Sequence, residues 1–294
     1  MAQLPAHPHA GWHGMGPGLT AALSFSIADI LLKVVYADGM DTLTLVSLRG
    51  VLVVAFFWVW LKLQRPARWH TKREKWIALW LGILFAGMMY GLLKSISILP
   101  VSIAILAYFV YPLLTGIGGA ITGVDHLGWR ALVAAAVAFG GLGLMLGADI
   151  GNLSVVGLAY AFGAAICRVL SLLGTRAWLS GTDARVTTWY SMVPSTLLFL
   201  AGSFTVGEWH TPHSATGWSA FLGICFLSTL STLMIYISTN RVGPFRTAFV
   251  MNLEPLVTAI LSMILLGEVL TPIQMLGAAI MIAALCAFQF ARAR

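Results

Sequence analysis

The sequence predicts an all-α polytopic membrane protein of ten transmembrane helices, arranged as two inverted five-helix repeats with both termini cytoplasmic. Three observations carry this. Of 294 residues, 59% are hydrophobic and 9% charged, whereas a soluble domain carries about 25% charged residues. Apolar runs long enough to cross a bilayer recur along the whole chain. Basic residues collect in alternate connections. A water-facing surface needs polar cover that this composition lacks, which excludes a soluble enzyme, a disordered chain and a nucleic-acid binder. The net charge of +7 then reads as orientation charge in the loops.

A hydrocarbon core of roughly 30 Å needs about 20 apolar helical residues. Residues 1–16 come first, broken by Pro and Gly and free of Lys and Arg; they read as a loose tail, not a cleaved signal peptide. Spans of the required length, bounded by charge, Pro or Gly, then follow at 17–37, 43–63, 76–98, 101–122 and 128–148. A second set follows at 154–178, 186–207, 217–239, 245–266 and 272–291. Only Leu99 and Pro100 separate the third span from the fourth. The connections are too short to hold a soluble domain, so the chain divides into the tail, a first unit at 17–148 and a second at 154–291.

Charge parity fixes the count. Lys62, Arg65, Arg68, Lys72, Arg73 and Lys75 lie between spans two and three. Arg130, Arg176, Arg185, Arg241, Arg246, Arg292 and Arg294 fall on that same side. The opposite connections carry Asp38, Asp41, Asp149, Glu208 and Glu268. One span more or fewer would scramble the pattern, and the basic side is expected to be cytoplasmic. Trp58, Trp60, Trp76, Trp80, Trp129, Trp178 and Trp189 fall near basic ends, Trp209 and Trp218 near acidic ones, as an interfacial belt requires.

The halves repeat. A shift of 143 places Pro112-Leu113-Leu114-Thr115-Gly116-Ile117 on Pro255-Leu256-Val257-Thr258-Ala259-Ile260, and Asp125 on Glu268. A shift of 139 places Asp29 on Arg168. Five is odd, so the second copy enters the membrane inverted, a recurrent plan in secondary transporters. Pro112 and Pro255 interrupt equivalent helices, each freeing a carbonyl that lipid cannot satisfy. They are therefore candidates for gating, against a plain kink tolerated by packing.

Apart from the basic residues at the cytoplasmic span ends, six charged residues fall within spans: Asp29, Lys33, Arg49, Lys94, Arg168 and Glu254. Each costs about 2.5–3.5 kcal/mol at a helix centre. Lys33 and Lys94 sit about 6 Å from helix ends and can snorkel. Arg49, about 9 Å deep, is ambiguous, and Asp29 is about 12 Å deep, one turn before Lys33. Arg168 and Glu254 lie about 14–15 Å deep, near the midplane. With Asp29 they are expected to line a central cavity; a structural ion pair is the alternative. Tyr90, Tyr108, Tyr111, Tyr236 and Asn252 accompany them at membrane depth. Such a set suits a zwitterion, its carboxylate on Arg168 and its amino group on Glu254 or Asp29. Gly143 and Gly147 on span five, and Ala279, Ala283 and Ala287 on span ten, are small residues spaced for close helix packing.

Other chemistry is missing from the sequence. The seven histidines fall in the tail or in connections, and none is expected to be buried. The three cysteines, Cys167, Cys225 and Cys286, have neither metal nor disulfide spacing. No nucleotide loop or hydrolase motif is present, so no cofactor and no metal is expected. A membrane-embedded enzyme or lipid-handling protein and an exporter of another metabolite or drug stay open as alternatives.

Asn252-Leu253-Glu254-Pro255-Leu256, the run Leu265-Leu266-Gly267-Glu268-Val269-Leu270-Thr271-Pro272-Ile273-Gln274-Met275-Leu276-Gly277-Ala278, and the duplicated unit together resemble the drug/metabolite transporter superfamily, in particular its EamA-type ten-helix exporters. The chain is most similar to the branch that exports aromatic and other amino acids. The first half departs from the second, with Tyr111 before Pro112 where Glu254 precedes Pro255. The resemblance implies a bacterial inner-membrane secondary carrier, acting as a monomer or weak homodimer, that moves amino acids outward. Glu254 would carry the proton if transport is proton-coupled.

Overall fold

A computed structural model describes residues 12–66, 68–99, 101–124, 129–146, 154–206, 209–266 and 271–290. Asp125, Asp149, Glu208, Glu268, Arg292, Arg294 and Gly147 lie outside the described residues. Among those described, the chain is entirely helical. In order, the helices are α1 (Trp12–Ala37), α2 (Thr42–Leu63), α3 (Lys72–Ile96), α4 (Val101–Tyr108), α5 (Tyr111–Thr122) and α6 (Trp129–Leu146), then α7 (Val155–Trp178), α8 (Ala184–Val206), α9 (Ala215–Val242), α10 (Pro244–Val250), α11 (Leu253–Leu266) and α12 (Pro272–Phe290). Helix α1 begins at Trp12, inside the stretch read as tail.

Seven spans are long and apolar enough to cross a membrane by length and composition, and two shorter apolar helices lie at Trp129–Met145 and Pro272–Ala284. The 23-residue α8, with Pro194 inside it, completes ten. Side-chain caps set several starts. Asp41 accepts from Thr44 N (2.9 Å), and Thr71 and Glu74 form a capping box at the head of α3. Thr271 and Gln274 repeat that reciprocal pair at the head of α12.

Spans four and nine are not continuous. The fourth is α4 and α5, parted at Phe109-Val110; the ninth is α10 and α11, parted at Met251-Asn252. Each break lies on the N-terminal side of its proline. A proline ring clashes with the carbonyl four residues earlier and cannot donate to it. For Pro112 that residue is Tyr108, the last of α4, and for Pro255 it is Met251, the first after α10.

The packing follows an inverted pseudo-symmetry. Helix α1 of the first half lies along α9 and α11 of the second, and α7 of the second lies along α3, α4 and α5 of the first. Helices α2 and α8 pair, as do α6 and α12. The α6–α12 crossing is tight: a Cβ on Gly277 would stand 2.4 Å from Met145 N and 2.5 Å from Gly141 O. The contact glycines are thus Gly141 and Gly277. Gly143 meets only Leu106 at ordinary distance, and Ala279, Ala283 and Ala287 are exposed. The small-residue pattern found the right helices and the wrong faces.

One symmetry element is broken. Helix α3 packs closely on α8, where a Cβ on Gly82 would lie 2.0 Å from Ser191 O. The backbones of the pseudo-symmetric pair, α9 and α2, approach far less closely, although Leu45 and Val46 of α2 share a buried apolar cluster with Phe221, Ile224 and Cys225 of α9.

Loop contacts define two faces. On the basic face Arg185 donates to Gln64 O (3.4 Å), Arg176 donates to Asn240 O, and Asn240 donates to Leu179 O (3.4 Å). On the acidic face Asp38 accepts from the backbone N–H groups of His213 (2.8 Å) and Ser214 (2.9 Å). The Ser214 N–H is the main reason the Asp38 carboxyl is held below its usual range.

His70 corrects the sequence reading: it is buried, its Nε2 2.9 Å from Thr187 Oγ1 and its ring stacked on Tyr190. The connection folds back over the start of α8. Burial pushes this imidazole below its ordinary range, and Arg68 and Lys75 act in the same sense against Glu74 and Asp183. The unfolded chain therefore binds the proton more readily than the folded one. This contribution to stability is complete above about pH 6.5 and is lost as pH falls below it toward the depressed folded value. Melting in detergent should drop between about pH 7.5 and 5.5, and His70→Gln should flatten that drop. An unchanged slope in the variant would contradict the assignment.

Candidate functional site

The helix breaks put polar groups where lipid-depth backbone is interrupted. Tyr111 opens α5 just after the first break, with its side chain fully buried. Arg168, 8% exposed on α7, lies over the Tyr111 ring with Cζ 5.7 Å from the centroid. Tyr108 packs against Tyr111 at 5.2 Å between centroids, and its hydroxyl donates to Met88 Sδ (3.3 Å). Tyr236 on α9 lines the same cavity as Arg168. Arg168 Nε is buried without a hydrogen-bond partner.

The second break makes the mirror arrangement. Asn252 is buried in the turn, and its backbone N–H donates to Phe249 O (3.1 Å). Glu254 follows, partly buried, in the first turn of α11. Its carbonyl accepts from Ser26 Oγ on α1 (2.9 Å). Asp29, one turn along α1, accepts from Thr258 Oγ1 (3.0 Å). Glu254 lies within electrostatic reach of both Asp29 and Arg168, yet among the described residues no ion pair joins Arg168 to an acid.

The geometry obeys the repeat. Each half's leading helix brings its charge to the broken helix of the other half. Asp29 of α1 meets α11, and Arg168 of α7 meets α5. Pro112 and Pro255 stand beside these contacts, the former buried and the latter partly so. The result is a bipolar site, with a cation among tyrosines at one end and two carboxyls at the other.

The cavity itself is lined by Arg168, Tyr236, Phe85, Ser171, Thr175 and Thr232, among others. It measures about 10 Å³, room for one water molecule and not for an amino acid. Admission of a larger ligand needs the helices to part. Ser171, Thr175 and Thr232 were missed by the sequence reading. Their signal was available, because Ser171 and Thr175 stand three and seven residues beyond Arg168, on one helix face.

Tyr90 does not join this group. It is 56% exposed and packs edge-on against Tyr160 at 6.2 Å. The reason is helix phase: Trp76, Trp80, Ile83, Gly87, Tyr90 and Lys94 form one exposed stripe of α3. Tyr90 and Lys94 thus lie on the outside of the bundle.

The EamA-like transporter family matches the chain twice, over residues 13–147 and 155–288. The chain belongs to the EamA-like transporter family. EamA proteins have the ten-helix, two-repeat fold described above, and this one is accordingly a multi-pass inner-membrane protein. Among curated EamA-like relatives, the threonine/homoserine exporter RhtA of Escherichia coli (strain K12) is 32% identical over 267 residues, covering 88% of this chain and 84% of the relative. RhtA of Salmonella typhimurium (strain LT2) matches with the same identity and coverage. A solved crystal structure aligns with a TM-score of 0.80 at 14% identity, over 96% of this chain and 99% of that one. That likeness concerns the fold alone. The relatives are transporters, so amino-acid or metabolite export is the class of function this EamA member shares.

Proposed function

We propose that the protein exports amino acids from the cytoplasm by alternating access of two units, residues 17–148 and 154–291, around the midplane cavity. The observation that carries this reading is the bipolar site at the paired helix breaks. A zwitterion presents opposite charges a few ångströms apart, and Arg168 with Asp29 and Glu254 offers the complement. The buried guanidinium binds a carboxylate bidentately. The carboxyl end receives an ammonium group. Tyr108, Tyr111 and Tyr236 supply amphipathic walls that accept either a hydroxylated or an aromatic side chain. The threonine and homoserine named for the relatives fit these walls, and so do aromatic amino acids.

The basic face is taken as cytoplasmic, which puts both termini there. The close α3–α8 packing lies in the half of those helices toward the basic face, and the less tightly packed α2–α9 pair is its counterpart toward the acidic face. The conformation is therefore read as sealed to the cytoplasm. The tie from Arg185 to Gln64 O, which joins the two units, acts as part of that seal. Binding energy that differs between the two arrangements is what shifts their populations.

Counterflow tests the reading. Purified protein in liposomes loaded with unlabelled threonine should accumulate labelled threonine saturably, and phenylalanine should compete. No exchange across a broad amino-acid panel would contradict it. Protons enter through Glu254. An imposed pH gradient should drive net flux in the parent protein, while Glu254→Gln should keep exchange and lose that drive. Flux indifferent to the gradient in the parent protein would remove the proton role and leave facilitated export.

A further inference from the structure

Arg49 has no place in the cavity described above. It sits on α2 in register with Leu45 and Val53, one turn to either side and both buried, so its side chain shares their inward face. The groups that face it electrostatically are Tyr36 on α1 and Cys225 on α9. Apolar neighbours surround this region, including Leu31, Val35, Phe221 and Ile224. Among the described residues Arg49 forms no ion pair with an acid. A guanidinium cannot neutralise itself by losing its proton, and a charge at membrane depth without a counter-ion is expensive. This one therefore needs an anion supplied from outside the chain.

Position says which anion. Arg49 lies between the midplane and the acidic face, on the side where α2 and α9 approach each other less closely than α3 and α8 do. Cys225 of α9 lies within its electrostatic reach. An amino acid leaving Arg168 toward the acidic face would pass between these two less tightly joined helices.

We propose that Arg49 is a second carboxylate-binding station, which takes the substrate's carboxylate between α2 and α9 after it leaves Arg168. The proposal rests on the amino-acid reading above. A second cation on the path lowers the cost of carrying a carboxylate through an apolar passage. It also keeps Arg168 from being a trap from which the substrate cannot leave.

Cys225 is a native reporter beside Arg49. In a Cys167→Ser, Cys286→Ser background, its thiolate attacks a methanethiosulfonate reagent, forming a mixed disulfide and releasing methanesulfinate. An anionic reagent should react about tenfold faster than a cationic one of similar size. Threonine should slow the reaction, and threonine amide, which lacks the carboxylate, should not. Arg49→Gln should abolish both the preference and the protection, and should raise the half-saturation for threonine counterflow about tenfold. Arg49→Lys should keep the preference, which shows that loss in the glutamine variant is loss of charge and not of fold. Equal rates for the two reagents, an unreactive thiol, or protection that survives in Arg49→Gln would overturn the proposal. So would a difference between parent and Arg49→Gln that appears in phosphatidylglycerol-containing vesicles and vanishes in pure phosphatidylcholine, because the anion would then be a lipid phosphate. A parent protein without threonine counterflow would sink the amino-acid reading; counterflow with an unaltered Arg49→Gln variant would sink this inference alone.

Discussion

Arg168→Gln should reduce counterflow efficiency about a hundredfold while the protein stays folded. Loss of one member of a buried charge-recognition pair costs about 2–5 kcal/mol, which corresponds to factors from about thirty into the thousands. The fold should tolerate the change. Arg168 makes no ion pair among the described residues, and its buried Nε has no partner to orphan. Glutamine keeps a polar head against Tyr111 and Tyr236. Arg168→Lys keeps the charge but loses the planar fork and its stacking on Tyr111. It should recover about a tenth of the lost efficiency. Binding followed by tryptophan fluorescence, beside counterflow, separates a lost site from a stalled cycle. Near-normal transport by Arg168→Gln in a monodisperse preparation would mean that the cavity is not the substrate site.

Gly277→Ala should destabilise the protein strongly, far more than the same substitution at an open glycine of the same helix pair. The single added carbon would meet Met145 N at 2.4 Å and Gly141 O at 2.5 Å, both backbone atoms that no rotamer change can move. Relief requires α6 and α12 to separate along their whole crossing. Overpacking of this kind costs about 3 kcal/mol, a fall of roughly 6–12 °C in melting temperature for a chain of this size. Gly140→Ala is the control, because nothing stands within 4 Å of a Cβ there. It should be neutral or slightly stabilising, since alanine loses less backbone entropy in a helix. Equal melting temperatures for the two variants would show that the α6–α12 contact is looser than described.

Much of this architecture was legible because lipid imposes a blunt rule. Every backbone group at membrane depth must be satisfied within its own segment, so spans announce themselves as apolar runs about 20 residues long. The pairing of Pro112 with Pro255 marked spans four and nine, and Asp29, Arg168 and Glu254 stood out by their cost. Less visible was where the backbone would give way. The breaks at Phe109-Val110 and Met251-Asn252 lie ahead of the prolines, because the clash falls on the preceding turn. Helix phase was the second weakness. Tyr90 looked like an interior residue from its hydroxyl, but its stripe runs with Trp76 and Trp80 to the outside. The small-residue pattern pointed to α6 and α12 while naming Gly143 and the alanines instead of Gly141 and Gly277. Periodicity gives spacing on one helix and cannot give the rotation that tertiary packing selects. His70 escaped for a related reason: a connection that folds back over α8 buries it, and no local pattern encodes that return.

Competition against labelled threonine counterflow by analogues that carry one charge each tests the bipolar site most directly. Threonine should compete fully. N-acetylthreonine, which keeps the carboxylate and loses the ammonium, and threonine amide, which keeps the ammonium and loses the carboxylate, should each compete at least about tenfold more weakly. Equal competition by either analogue would mean that only one end of the site recognises its substrate, and the pairing of Arg168 with Asp29 and Glu254 across the two inverted halves would no longer explain transport.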